Sequence, residues 1–144
     1  MSSALLVCLM VTAGPCVAGI ENAGYVDPGG MNLLLDAIAK VESRNNSSVT
    51  GDGGRAAGPY QIHRAYWADG TKFLGVNWSY EQASDPAKAR EVVKAYLLHY
   101  GQGCSLLERA RIHNGGPTGH RKPSTLDYAR RIALVLETMN AGRL

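Results

Sequence analysis

Apolar residues return at helical spacing along most of the chain, in stretches parted by glycine, proline and short polar runs. From Met31 onward Leu34, Ile38 and Val41 recur at four- and three-residue steps, with Leu35 and Ala37 beside them. That spacing predicts a helix fading at Ser43-Arg44-Asn45-Asn46, after loop punctuation at Asp27-Pro28-Gly29-Gly30. Ser47 to Gly58 holds almost no large apolar side chain and reads as a loop or short hairpin turning at Gly51-Asp52-Gly53-Gly54. Pro59 suits the first position of a second helix, where its missing N–H costs nothing. Ile62 and Tyr66 share one face of that helix, which is expected to end near Asp69-Gly70.

Start signals are clearer in the second half. Ser79-Tyr80-Glu81-Gln82 is a capping-box pattern, and Asp85-Pro86 is a further helix start. Ala89, Val92, Val93, Tyr96, Leu97 and Tyr100 then form a helical stripe up to Gly101. Ser105-Leu106-Leu107-Glu108 is another capping box, opening a short helix through Ile112 that Gly115-Gly116-Pro117 must stop. A last helix from Ser124 or Thr125 carries Leu126, Ala129, Ile132, Ala133, Leu136 and Met139. The pattern amounts to a mainly α domain with α+β character: about five helices and one small polar loop or hairpin after the first.

The N-terminus changes the picture of where the protein works. Residues 1–19 carry no charge, and Ala4 to Gly14 is an apolar run too short to span a bilayer. Pro15 and the small residues Val17-Ala18-Gly19 follow it, as after a signal-peptide core, although no Lys or Arg precedes the run. Residues 1–19 are therefore read as a secretory leader and 20–144 as a single domain, placed in the periplasm or outside the cell. Cleavage would remove Cys8 and Cys16 and leave Cys104, expected to be a buried apolar residue in a fold without disulfides.

Charge and motif content narrow the chemistry. The net charge of +3 gives a mild, salt-screened attraction to polyanions such as cell-wall polymers. No run of Lys and Arg is interleaved with aromatics, so nothing supports nucleic-acid binding. His63, His99, His113 and His120 show no metal-ligand spacing completed by Asp or Cys, and Gly51 to Gly54 is not followed by the Lys-Ser or Lys-Thr of a phosphate loop. Neither a metal nor a cofactor is expected.

Glu42 lies four residues after Ile38 and so projects from the apolar edge of its helix. Half-burial against apolar groups disfavours a carboxylate and is expected to raise its pKa, which is what a general acid needs near neutral pH. Position alone does not separate this from the ordinary case of a solvated Glu near a helix end.

Four segments around it occur in a telling order: Val41-Glu42-Ser43, Gly58-Pro59-Tyr60-Gln61-Ile62, Ile112-His113-Asn114-Gly115-Gly116-Pro117 and Tyr128-Ala129-Arg130-Arg131-Ile132. The set resembles the lysozyme-like superfamily, which includes invertebrate-type (destabilase-like) lysozymes and soluble lytic transglycosylases. The resemblance runs from about Leu33 to Ile132. The His-Asn-Gly-Gly-Pro and Tyr66-Trp67 segments are most similar to the invertebrate-type enzymes, whose dense cysteines are here Ala, Gly or His apart from Cys104.

The resemblance implies a secreted, bacteriolytic enzyme that cleaves the β-1,4 bonds between N-acetylmuramic acid and N-acetylglucosamine in peptidoglycan, with Glu42 as acid. It further implies a monomer working on glycan strands without membrane insertion. Asp52 is the candidate second carboxylate for retaining hydrolysis, although Gly-Asp-Gly-Gly is also what an ordinary turn favours. A transglycosylase would use Glu42 alone, and a domain that had lost turnover would only bind the wall. Ser43, Tyr60, Gln61, His113, Asn114 and Tyr128 are the candidate substrate-binding residues. Gln61 and Asn114 could instead cap helix ends, and the tyrosines could belong to the core.

Overall fold

The apolar stripes become five α-helices. In the computed structural model, which describes residues 28–142, these are α1 (Pro28–Ser43), α2 (Arg64–Leu74), α3 (Pro86–Tyr100), α4 (Leu106–Gly115) and α5 (Leu126–Ala141). The leader expected at residues 1–19 lies outside the described residues. α2 packs along α3, while α5 lies against both α1 and α4. The stripes meet in one core: Leu34, Leu35 and Ile38 of α1, Val92, Val93 and Leu97 of α3, Ile112 of α4 and Ile132 of α5 are all fully buried. Each such side chain contributes about 1.5–3 kcal/mol by leaving water.

The polar segment after α1 folds as a small antiparallel sheet of β1 (Thr50–Gly51), β2 (Ala56–Ala57) and β3 (Ile62–His63), in that order. Gly51 pairs with Ala56, and Ala56 in turn with His63. A 3-10 turn over Asp52–Gly54 joins β1 to β2. The hairpin and its turning point were legible in the sequence; the third strand was not.

Three boundaries differ from expectation, each for a local reason. α1 already begins at Pro28, because the loop-like Asp27-Pro28-Gly29-Gly30 places proline in a first turn that needs no N–H from it. α2 begins at Arg64 rather than Pro59. Gly58 and Gln61 both adopt left-handed backbone (φ 75° and 49°), which turns the chain into β3 instead. A Cβ at Gly58 would also strike the Ala83 carbonyl, so the turn is seated directly against the 3-10 helix Tyr80–Ser84.

α2 also runs through Asp69-Gly70 to Leu74. Gly70 does not stop the helix; it is where α2 touches α3, since a Cβ there would press on Val92. Asp69, expected at a helix end, is mid-helix and accepts a hydrogen bond from the Tyr100 hydroxyl at 3.0 Å. The three start signals of the second half hold. Asp85 caps α3 through the Ala87 and Lys88 N–H groups, and both capping boxes close reciprocally.

Cys104 is buried as expected, but it is disulfide-bonded, which corrects the reading of an unbridged domain. A leader cleaved after residue 19 would take Cys8 and Cys16 with it, which is why an unbridged domain is expected from the sequence.

Candidate active site

The end of α1 is fixed before any chemistry is asked of it. Arg44 and Asn45 turn left-handed (φ 56° and 64°), and the Asn45 N–H reaches back to the Ala39 carbonyl at 3.2 Å. Ser43 Oγ donates to the Pro59 carbonyl at 2.8 Å and accepts from the Asn46 N–H at 3.1 Å. Ser43 therefore ties the helix end to the segment leading into β3. Its hydroxyl is engaged by backbone, and the residue does not line the cleft beside it.

That cleft has a volume of about 270 Å³. Glu42, Tyr66, His113 and Asn114 line it from the helices, and Asp52, Gln61 and His63 from the sheet and its turns. Five of the eight sequence candidates thus converge: Glu42, Asp52, Gln61, His113 and Asn114. Tyr60 does not join them. It is buried away from the cleft lining, where its hydroxyl accepts from Arg90 Nη1 at 3.2 Å, next to the Arg90–Asp36 ion pair. Tyr128 is also buried and does not line the cleft, but its ring lies 6.2 Å from that of His113 and its hydroxyl is directed at Glu42.

Glu42 is held in a polar, not an apolar, pocket. Its side chain is 20% exposed and its Oε1 lies 3.5 Å from Nε2 of His113, which is 4% exposed. At that distance the contact is electrostatic more than a formed hydrogen bond. Tyr66 Oη sits 3.0 Å from His113 Nδ1. Burial pushes the Tyr66 hydroxyl well above its usual pKa, so it keeps its proton and donates. Nδ1 is then the acceptor, and the ring N–H is on Nε2, facing the carboxylate.

The expected upward shift of Glu42 is corrected accordingly. Burial does raise its pKa, but His113, the Tyr128 hydroxyl and the positive charge of Arg131 outweigh it, and the carboxyl lies below its usual value. Arg131 is positioned by stacking 5.3 Å over the Tyr128 ring. The Tyr128 hydroxyl is buried with no hydrogen bond of standard geometry, so its proton is available to the carboxylate beside it. The sequence pattern showed the apolar helix edge but not these three groups, which arrive from α4 and α5.

A depressed carboxyl has a definite sign in stability. Glu42 contributes stabilisation that is present above its unfolded-state pKa and is lost as pH falls through its folded value. Replacing His113 with Phe removes the largest opposing influence and is expected to move the Glu42 pKa upward. Carboxyl carbon NMR titration reads this directly, and an unmoved midpoint would show that His113 does not hold the charge.

On the sheet side, Asp52 has left-handed backbone (φ 50°), and its Oδ2 lies 2.8 Å from His63 Nε2. Both side chains are more than half exposed (58% and 51%), so this pair contributes little to stability. Gln61 donates from Nε2 to the Val49 and Gly58 carbonyls at 3.0 and 2.8 Å. Its amide braces the segments beside the sheet and caps no helix end, while its flank borders the cleft. Asn114 is exposed at the rim, with its amide open to a ligand.

His63 and Tyr66 are the site residues that sequence reasoning passed over. In the sequence His63 is a candidate metal ligand and nothing more, because the register pairing it with Ala56 beside the Asp52 turn is not visible without the third strand. Tyr66 carries two signals, the Tyr66-Trp67 segment and a tyrosine ring able to face a sugar, but its helical spacing from Ile62 reads equally as core.

The arrangement is a carboxylate on a rigid helix end, backed by a buried histidine, with a second carboxylate lining the same cleft. The sequence model of the destabilase family matches residues 32–134, a span that includes both carboxylates. The chain belongs to the destabilase family. Among relatives of this destabilase-family chain, the lysozyme of Ostrea edulis is 35% identical over 135 residues, covering 89% of this chain and 90% of the oyster protein. The fold agrees. A chain in the crystal structure of Aeromonas hydrophila PliI in complex with Meretrix lusoria lysozyme superposes with a TM-score of 0.60 at 31% identity, covering 78% of this chain and 92% of that one. The Tapes japonica lysozyme gives a TM-score of 0.59 at 27% identity, over 69% and 85% of the two chains.

Proposed function

We propose that this destabilase-family protein is a lysozyme that hydrolyses the β-1,4 bond between N-acetylmuramic acid and N-acetylglucosamine in peptidoglycan. One observation carries the reading: Glu42, fixed at a helix end with a fifth of its side chain exposed, shares a cleft with Asp52. Two carboxyl groups flanking one glycosidic bond are the machinery of retaining hydrolysis. The oyster relative carries the name lysozyme, in accord with this.

In the free protein Glu42, with its pKa below the usual carboxyl value, is ionised at neutral pH. A sugar covering its exposed face removes the remaining water and adds to the burial that already opposes the charge, so binding favours the protonated acid. Glu42 then protonates the leaving glycosidic oxygen. Asp52 faces the positive charge that grows on the sugar and attacks or stabilises it. Glu42, now a base, activates the water that completes hydrolysis. Asn114 offers an amide donor and acceptor to an N-acetyl group at the rim.

We place the protein outside the cytoplasm, because peptidoglycan lies there and the uncharged residues 1–19 read as a secretory leader. Among the described residues no helix is long and apolar enough to cross a membrane.

Mass spectrometry of digested muropeptides tests the reaction. Hydrolysis leaves reducing muramic ends, which is the result expected. Anhydro-sugar ends would mean that the substrate's own hydroxyl closes the ring, and would replace hydrolysis with a transglycosylase reaction.

A further inference from the structure

His63 has no part in the mechanism above, yet among the described residues it makes the one side-chain hydrogen bond to the second carboxylate. We propose that His63 is a positioning residue that aims Asp52 at the substrate, an inference that rests on the catalytic reading of Asp52. A carboxylate only accepts hydrogen bonds, so at 2.8 Å the Nε2–H of His63 must donate to Asp52 Oδ2. Oδ1 is left without a hydrogen bond among the described residues, on a side chain that lines the cleft with Glu42.

The need for such a support lies in the turn that carries Asp52. Asp52, Gly53 and Gly54 are all left-handed (φ 50°, 65° and 89°), and nothing lies within 4 Å of where a Cβ on either glycine would sit. The 3-10 turn contains no buried residue. Its backbone is restrained at the Asp52 carbonyl, which accepts from Arg55 Nε at 3.0 Å, but that bond does not orient the carboxylate.

His63 is held far better. It belongs to β3, pairs with Ala56 and follows the fully buried Ile62. The Tyr80 hydroxyl lies 2.7 Å from the Ile62 carbonyl and 3.1 Å from that of Arg55, joining β3 to the end of the Asp52 turn. Arg64 lies over the Tyr80 ring at 4.4 Å and steadies it. A rigid sheet position thus supports a side chain on a permissive loop, and a carboxylate misplaced by about 1 Å is enough to lower turnover severely.

The test is a double-mutant cycle on purified, solubilised peptidoglycan glycan chains, using variants whose melting temperatures match the wild type. His63→Ala is expected to lower kcat about tenfold with KM changed less than twofold, because the residue orients a reacting group and does not bind sugar. His63→Gln, whose Nε2 can take the place of the ring N–H, is expected to recover most of that loss. In an Asp52→Asn background, His63→Ala is expected to have no further effect. Equal losses in both backgrounds, or a Gln variant as poor as Ala, would overturn the positioning role while leaving Asp52 catalytic. An Asp52→Asn variant with unchanged kcat would remove the reading of Asp52 itself, and this proposal with it.

Discussion

Glu42→Gln is expected to abolish the clearing of cell-wall suspensions while leaving the wall bound. Gln has nearly the shape of Glu and can still face His113 and Tyr128, so the helix end and the cleft should persist. What it lacks is a proton it can release to a leaving oxygen. General acid catalysis is worth roughly 10²–10⁴ in rate, about 2.7–5.5 kcal/mol of barrier, and the loss should fall on kcat. Pull-down on insoluble wall separates this from unfolding, because a folded, inactive variant still sediments with its substrate. Undiminished clearing would remove Glu42 from the reaction.

The wild-type pH profile should carry the same residue's signature. Glu42 must be protonated to act, and in the free protein its pKa lies below the usual carboxyl value. kcat/KM should therefore rise as pH falls toward that value, up to the point where acid destabilises the fold.

Much of this site was legible before the structure, and the reason is local. Glu42 follows Ile38 by four residues on a strongly periodic helix, so its placement at the core edge needed only the helical repeat. The capping boxes at Ser79 and Ser105 are four-residue signals and held for the same reason. Reasoning by local pattern failed where tertiary contacts decide. Gly70 looks like a helix terminator, but its missing side chain makes room for Val92 of α3. The environment of Glu42 was misjudged because His113, Tyr128 and Arg131 come from elements more than seventy residues further on. Cys104 differs from expectation because reading residues 1–19 as a cleaved leader leaves it no other cysteine.

The partner of Glu42 is the point on which the mechanism turns, and Asp52→Asn is the second large effect expected. Asn preserves the size of the side chain and can still accept a hydrogen bond from His63, so only the charge is lost. In the free protein that charge is more than half exposed and water screens it. Once a sugar fills the cleft the water leaves, and the same carboxylate faces an oxocarbenium-like centre in a far less polar medium, where preorganised charge is most effective. The substitution should therefore cost roughly 10²–10³ in kcat and little in KM, since the benefit arises at the transition state and not in the bound ground state. Steady-state rates on soluble glycan chains measure this. A loss below about threefold would leave Glu42 to act alone. The muropeptide ends should then be anhydro sugars, because a cation without a carboxylate to receive it is captured by the substrate's own hydroxyl.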